Sequence, residues 1–170
     1  MTAITKQGLE PLVCNEPRIL ILGSLPGDIS IESQEYYANP RNFFWKTIAT
    51  ITGTPEPVSY PAKKEMLAKS HIALWDVYAS AERSGSSDSK IRGGEFNDIA
   101  GLVAQNPTIS TIAFNGNKAF DSFGKYLRQC PGTSYLESLR GCPCPSTSPA
   151  VRCAGVTFDD LINRWKEIFK

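Results

Sequence analysis

Apolar positions along the chain fall into two recurring patterns, short unbroken runs and helically spaced stripes, separated by turn-forming residues. The runs Arg18–Gly23, His71–Val77 and Thr108–Phe114 read as buried strands, and a weaker run near Ser134–Leu139 as a fourth. Between and after them the spacing predicts helices over Phe43–Ile51, Ala62–Lys69, Asn97–Gln105, Lys118–Arg128 and Phe158–Phe169. In the last of these Leu161, Ile162, Trp165, Ile168 and Phe169 share one face, which places Trp165 in the core rather than at a ligand. Strands alternating with helices at this spacing predict an α/β fold. The lead-in through Pro17 carries no assigned element. Ala79–Gly94, rich in Ser, Gly and charge, reads as a polar loop too long for a minimal connection.

Length and composition narrow the picture. A chain of 170 residues with 41% hydrophobic content fills one core and not two, so a single domain over residues 1–170 is expected. A net charge of +1 lacks the strongly basic signature of many nucleic-acid binders, although local patches still bind phosphate when the total is balanced. Cys14, Cys130, Cys142, Cys144 and Cys153 form an odd set, and the first residues carry no apolar targeting core. A reduced, cytoplasmic monomer is the expectation. The pair Cys142-Pro143-Cys144 invites a metal, but no second Cys or Cys/His pair supplies the remaining ligands, so neither metal nor other cofactor is expected. No run has the length of a transmembrane helix.

Candidate chemistry sits where the predicted strands end. Gly23-Ser24-Leu25-Pro26-Gly27 follows the first strand as a tight turn with exposed backbone N–H groups, either an ordinary turn or a ligand-facing loop. Shortly after it, Tyr36, Tyr37, Phe43, Phe44 and Trp45 crowd around Asn39, Arg41 and Asn42, the mixture of π-faces, amides and a cation that holds a flat heterocycle beside a phosphate. Asp76 ends the second strand as a pocket residue or a simple cap. Asn115 ends the third, as a base-reading amide or the first half of an Asn-Gly turn. Carboxyl ends of parallel strands converge, so these loops and Ser146-Thr147-Ser148-Pro149 are expected to ring one pocket. His71 starts a strand rather than ending one, away from that pocket, which removes Ser–His or Cys–His nucleophilic catalysis.

The ordered segments Gly23–Gly27, Tyr37-Ala38-Asn39-Pro40-Arg41-Asn42-Phe43-Phe44-Trp45 and Pro145-Ser146-Thr147-Ser148-Pro149-Ala150 resemble the uracil-DNA glycosylase superfamily. Within it the hypoxanthine-DNA (deoxyinosine) glycosylase family is the most similar. Leu74-Trp75-Asp76-Val77, the Glu82–Ser89 segment, Asn97-Asp98-Ile99 and Phe114-Asn115-Gly116 extend the resemblance over nearly the whole chain.

The resemblance implies a three-layer α/β/α sandwich around a short, mostly parallel four-stranded sheet. It also implies a monofunctional DNA glycosylase that flips a deaminated base from DNA and needs no metal. Two usual polar catalysts are absent: Leu25 stands where mismatch-specific relatives carry Asn, and Cys144 where the later loop of many relatives carries His. That departure matches the hypoxanthine family, whose important Asn lies in the Pro-Arg-Asn segment. The catalytic role therefore carries to Asn42, with Asn39 as competitor. Tyr37 and Phe44 with Gly23–Gly27, Asp76 and Asn115 would bind the base. Arg41, Arg83 and the Pro145–Pro149 loop would meet DNA, unless the arginines are plain surface charge and the loop an ordinary turn. No lysine stands out as an imine-forming nucleophile, Lys63, Lys64 and Lys118 included. Uracil or xanthine specificity, a non-catalytic nucleic-acid-binding relative and a small-molecule hydrolase are the competing readings.

Overall fold

The computed structural model describes residues 2–170 and builds them around two sheets. In chain order the strands are β1 (Ile4–Gln7), β2 (Ile19–Gly23), β3 (Ile72–Asp76), β4 (Tyr78–Arg83), β5 (Arg92–Phe96), β6 (Thr111–Asn115) and β7 (Arg140–Cys144). The helices are α1 (Asp28–Ser33), α2 (Phe44–Thr52), α3 (Tyr60–Lys69), α4 (Ile99–Gln105), α5 (Asn117–Gln129), α6 (Pro149–Cys153) and α7 (Phe158–Trp165).

The larger sheet runs β3-β2-β6-β7 with every pairing parallel. β2 is buried at all five positions, as a strand covered on both faces must be. Its side chains alternate, so Ile19 and Ile21 join one core and Leu20 and Leu22 the other. The first core takes Phe44 and Ile48 from α2, Leu67 from α3, and Leu161 and Trp165 from α7. The second takes Ile99 and Leu102 from α4 and Phe123 and Tyr126 from α5. The outcome is the α/β class that the strand–helix alternation predicts and the three-layer α/β/α sandwich that the resemblance implies.

In the sheets, three regions differ from the sequence reading. Ser134–Ser138 is a short 3-10 turn, and the fourth parallel strand begins after it at Arg140. Gly141 and Pro143 hide the strand signal in Arg-Gly-Cys-Pro-Cys, and Pro is tolerated there because β7 is an edge of the sheet. The polar stretch Ala79–Gly94 and the N-terminal lead-in are also more ordered than expected. They supply β4, β5 and β1, which form a second, antiparallel sheet in the order β1-β4-β5. These strands are short and carry Gly, Arg and Glu among few apolar residues, so backbone pairing and the buried cations Lys6 and Arg83 specify them rather than apolar alternation.

Candidate active site

The four parallel strands end level with one another. Gly23 pairs with Asp76 across β2 and β3, Leu22 with Phe114 across β2 and β6, and Asn115 with Cys144 across β6 and β7. A cavity of about 750 Å³ opens over these ends. It is lined by the Gly23–Gly27 loop, Tyr37, Asn39, Asn42, Asp76, Asn115 and the Pro145–Ala150 loop, which the sequence placed at one pocket. Ser86–Ser89, from the stretch read as a polar loop, forms a further wall.

Three neutral side chains are wired together across the cavity. Asn115 accepts the Thr147 backbone N–H on Oδ1 at 3.0 Å and donates from Nδ2 to Thr147 Oγ1 at 3.0 Å. Thr147 Oγ1 in turn donates to Asn42 Oδ1 at 2.8 Å, and the Phe44 N–H donates to the same oxygen at 2.9 Å. Backbone N–H groups can only donate, so both amide orientations are fixed by their partners. The Asn42 oxygen is thus filled from two sides, and its NH₂ is the polar end left to face a ligand. Asn39 differs, because its Oδ1 accepts the Arg41 N–H and its carbonyl the Asn42 N–H, closing the turn that presents Asn42. The Phe43 N–H donates to the Thr147 carbonyl and tacks the two loops together.

Beside this chain Tyr37 forms an aromatic wall. Its ring stacks on Phe44 at a centroid distance of 4.1 Å, and its φ of 51° is a left-handed conformation uncommon for a bulky residue. Phe44, expected to touch a base, instead lies fully buried beneath Tyr37, with Trp45 and Trp165 edge-on to it. It supports the platform from the core. The Tyr37 hydroxyl is buried without a protein partner, and burial pushes its pKa up. The Asn115 amide beside it offsets that rise slightly, although the two do not meet hydrogen-bond geometry. Gly23 permits this arrangement: a methyl group there would overlap Asp76 Oδ1 and come within 2.9 Å of the Tyr37 hydroxyl.

Charge is concentrated under the Gly23–Gly27 wall. Asp76 is buried at the cavity with Oδ2 unpartnered, and burial, then the nearby Asp88, pushes its pKa up to about 7 against the opposing Arg83. Asp88 accepts from Ser24 Oγ at 2.7 Å, and burial raises its pKa too. Arg83, expected to meet a phosphate, is fully buried. Its guanidinium donates to the carbonyls of Leu25, Pro26 and Gly85, so it clamps the wall loop from behind and cannot reach DNA. Lys6 of β1 is buried next to it, bonded to Asp28 and to the Gly85 carbonyl. Leu25, in place of a polar catalyst, packs with Tyr78, Ala81 and Ile91 while its backbone lines the cavity.

On the other rim Pro145, Ser146, Ser148 and Pro149 are half-buried, with the Pro145 carbonyl accepting from Trp165 Nε1 at 3.0 Å. Thr147, grouped with them as a DNA contact, is only 1% exposed and turns inward as the bridge between Asn42 and Asn115. The Ser/Pro run gave no sign of that division. Gly116, with φ 94°, lets the β6–α5 turn pass this loop, since a methyl group there would meet Ser146 Cβ at 2.9 Å. Arg41 is exposed. Lys118 on α5 and Arg164 on α7 also line the cavity, two cations that sequence reasoning did not place there. Its place in the first turn of a helix directly after a strand-end turn could have flagged Lys118. Lys63 and Lys64 instead lie over the Trp45 and Tyr60 rings. His71 sits at the opposite end of β3, bonded through Nδ1 to the Glu16 carbonyl. Burial and the adjacent Cys142, whose Sγ is 3.9 Å away, keep Cys144 a thiol rather than a thiolate. Among the described residues no group of three or more His, Cys, Asp or Glu is placed to hold a metal.

Known proteins are similar to this one in sequence and in fold. The sequence profile of the Uracil DNA glycosylase superfamily matches residues 10–169. A hypoxanthine DNA glycosylase of Methanosarcina barkeri is 39% identical over 115 residues, 67% of this chain and 73% of the relative. One from Methanosarcina acetivorans is 36% identical over 166 residues, 97% of this chain and 98% of the relative. The solution NMR structure of a candidate uracil DNA glycosylase from Methanosarcina acetivorans superposes with a TM-score of 0.79 at 35% identity, covering 98% of this chain and 97% of that one. A profile match over nearly the full length, with the parallel sheet and strand-end cavity in place, means that the chain belongs to the uracil DNA glycosylase superfamily.

Proposed function

We propose that the protein is a monofunctional DNA glycosylase of base excision repair that extracts hypoxanthine from deoxyinosine-containing DNA and hydrolyses its N-glycosidic bond. The observation that carries this reading is the fixed chain Asn115–Thr147–Asn42 running beside the Tyr37 platform in one cavity. The hypoxanthine DNA glycosylases among its relatives favour that base over uracil or xanthine.

Breaking an N-glycosidic bond builds positive charge on the sugar and negative charge on the departing base, so donors held in place for the base lower the barrier. Tyr37 stacks on the flipped base, and the Gly23–Gly27 backbone and Asn115 meet its edge. Asn42 presents N–H, which donates to the departing base or holds a water by its oxygen. It cannot take a proton, because Oδ1 is already filled twice. Ser146, Ser148, Lys118 and Arg164 line the cavity with phosphate-binding groups, and Arg41 is an exposed cation on the segment that carries Asn39 and Asn42. Flipping costs a few kcal/mol and costs least at a weakly paired base, which adds selectivity for deaminated positions. The enzyme acts as a cytoplasmic monomer on DNA. No helix among the described residues is long and apolar enough to cross a membrane.

Duplexes carrying a single inosine, uracil or xanthine, incubated with the protein and then treated with alkali, test the reading. Strand breaks are expected chiefly at inosine and only after alkali. Binding without breaks, or hydrolysis of free inosine with none in DNA, would overturn it. Breaks without alkali would instead indicate an imine at Lys118, the lysine that lines the cavity.

A further inference from the structure

Resting on the glycosylase reading, we infer that Asp76 is the general acid of the reaction, entering it protonated and delivering its proton to the departing purine. Asp76 ends β3 at the floor of the cavity, fully inside the protein, and its Oδ2 meets no protein donor. A buried carboxyl oxygen left unpartnered is costly unless a ligand or a proton satisfies it. Its other oxygen lies over Gly23, on the side where the Tyr37 hydroxyl also approaches. A base stacked on Tyr37 therefore brings an edge to the carboxyl. Leu25 and Cys144 stand where relatives carry polar catalysts, and of the two carboxyls at the cavity Asp88 already accepts from Ser24 Oγ and faces Arg83, whereas Asp76 keeps an oxygen with no protein donor.

The surroundings hold the proton on. Tyr37 and Tyr36 face Asp76 from the segment before α2, Asp88 from the Ser-rich wall and Arg83 from β4, with Lys118 acting on Asp88. Burial and the Asp88 charge outweigh Arg83, so the carboxyl stays neutral up to about pH 7. N7 is the most basic ring nitrogen of a 6-oxopurine nucleoside. As the C1′–N9 bond breaks and its electron pair passes to the base, the Asp76 proton moves to N7, and hypoxanthine leaves neutral rather than as an anion. Water adds to C1′ and releases one proton, which restores the carboxyl.

Single-turnover excision from an inosine duplex between pH 5.5 and 9, for wild type and Asp76→Asn, tests this. The wild-type rate should fall about tenfold per pH unit above about pH 7, because the acid must be protonated. Asp76→Asn should be about 10²-fold slower at pH 6 and show no decline through that range. Melting temperature gives a readout independent of activity. A carboxyl whose folded pKa is raised binds its proton more tightly in the folded state, so its contribution to stability is lost as pH rises from about 4 to about 7. Asp76→Asn should therefore gain over wild type at pH 8 and not at pH 5. A wild-type rate that is level or rises through pH 6–9, or a folded Asp76→Asn within about threefold of wild type at pH 6, would overturn the inference while leaving the glycosylase reading intact. If Asp76→Asn does not fold, the wild-type profile decides alone. A wild type inactive at every pH would overturn both.

Discussion

Asn42→Ala is expected to slow hypoxanthine excision by about 10²–10³-fold under single-turnover conditions, the loss typical of one preorganised donor at a site of developing charge. The Asn42 NH₂ is held by a carbonyl that two donors anchor, so it needs no rearrangement as the bond breaks. Removing the side chain leaves the Phe44 N–H and the Thr147 hydroxyl without their acceptor. That loss costs about 1–2 kcal/mol, too little to unfold a domain of this size. Asn42→Asp separates the two effects. It keeps the anchoring acceptor and deletes the donor, so melting should stay near wild type while excision falls as it does in the alanine variant. A normal rate in Asn42→Asp would remove the amide N–H from the mechanism.

Arg83→Met carries the largest expected effect on stability. Arg83 is fully buried, and its guanidinium satisfies three carbonyls of the wall loop and lies 4.0 Å from Asp88. Methionine fills much of the same volume but donates nothing. It leaves the Leu25 and Pro26 carbonyls orphaned and Asp88 without its nearest cation. Two buried carbonyls left without donors cost about 1–3 kcal/mol each, and the half-exposed Asp88 adds little to that. At this chain length that lowers the melting temperature by roughly 5–20 °C. The same change loosens the Gly23–Gly27 wall, so inosine excision should weaken even below the melting transition. Thermal denaturation read beside the excision assay checks both. Had Arg83 been a phosphate contact, the substitution would leave melting unchanged and reduce only the salt dependence of DNA binding.

The parallel sheet could be read from the sequence because its strands are buried on both faces and announce themselves as unbroken apolar runs. β7 escaped, since an edge strand tolerates the Gly and Pro that mask it. The antiparallel sheet escaped for another reason: Lys6 and Arg83, polar in any scale of burial, are buried within it, and only tertiary partners make that tolerable. The location of the site was legible because parallel strand ends converge by topology, which put the Gly23–Gly27 loop, Asp76, Asn115 and the Ser146–Pro149 loop together, while the resemblance added Tyr37 and Asn42. Side-chain direction was not. Phe44 and Tyr37 are adjacent aromatics, yet one faces the core and the other the cavity. Thr147 looks like its serine neighbours and alone points inward. Nothing in residue type distinguishes these, because the choice is made by a left-handed Tyr37 and by hydrogen bonds 105 residues apart in sequence.

Coupling between Asn42 and Thr147 tests the fixed amide chain most directly. Single-turnover excision of hypoxanthine would be measured for wild type, Asn42→Ala, Thr147→Val and the double variant. If Thr147 holds the Asn42 amide in its working orientation, each single substitution slows excision and the double variant is no slower than the slower single within about twofold. Losses that multiply, or a Thr147→Val rate within about twofold of wild type, would show that the two side chains act independently and would contradict the account.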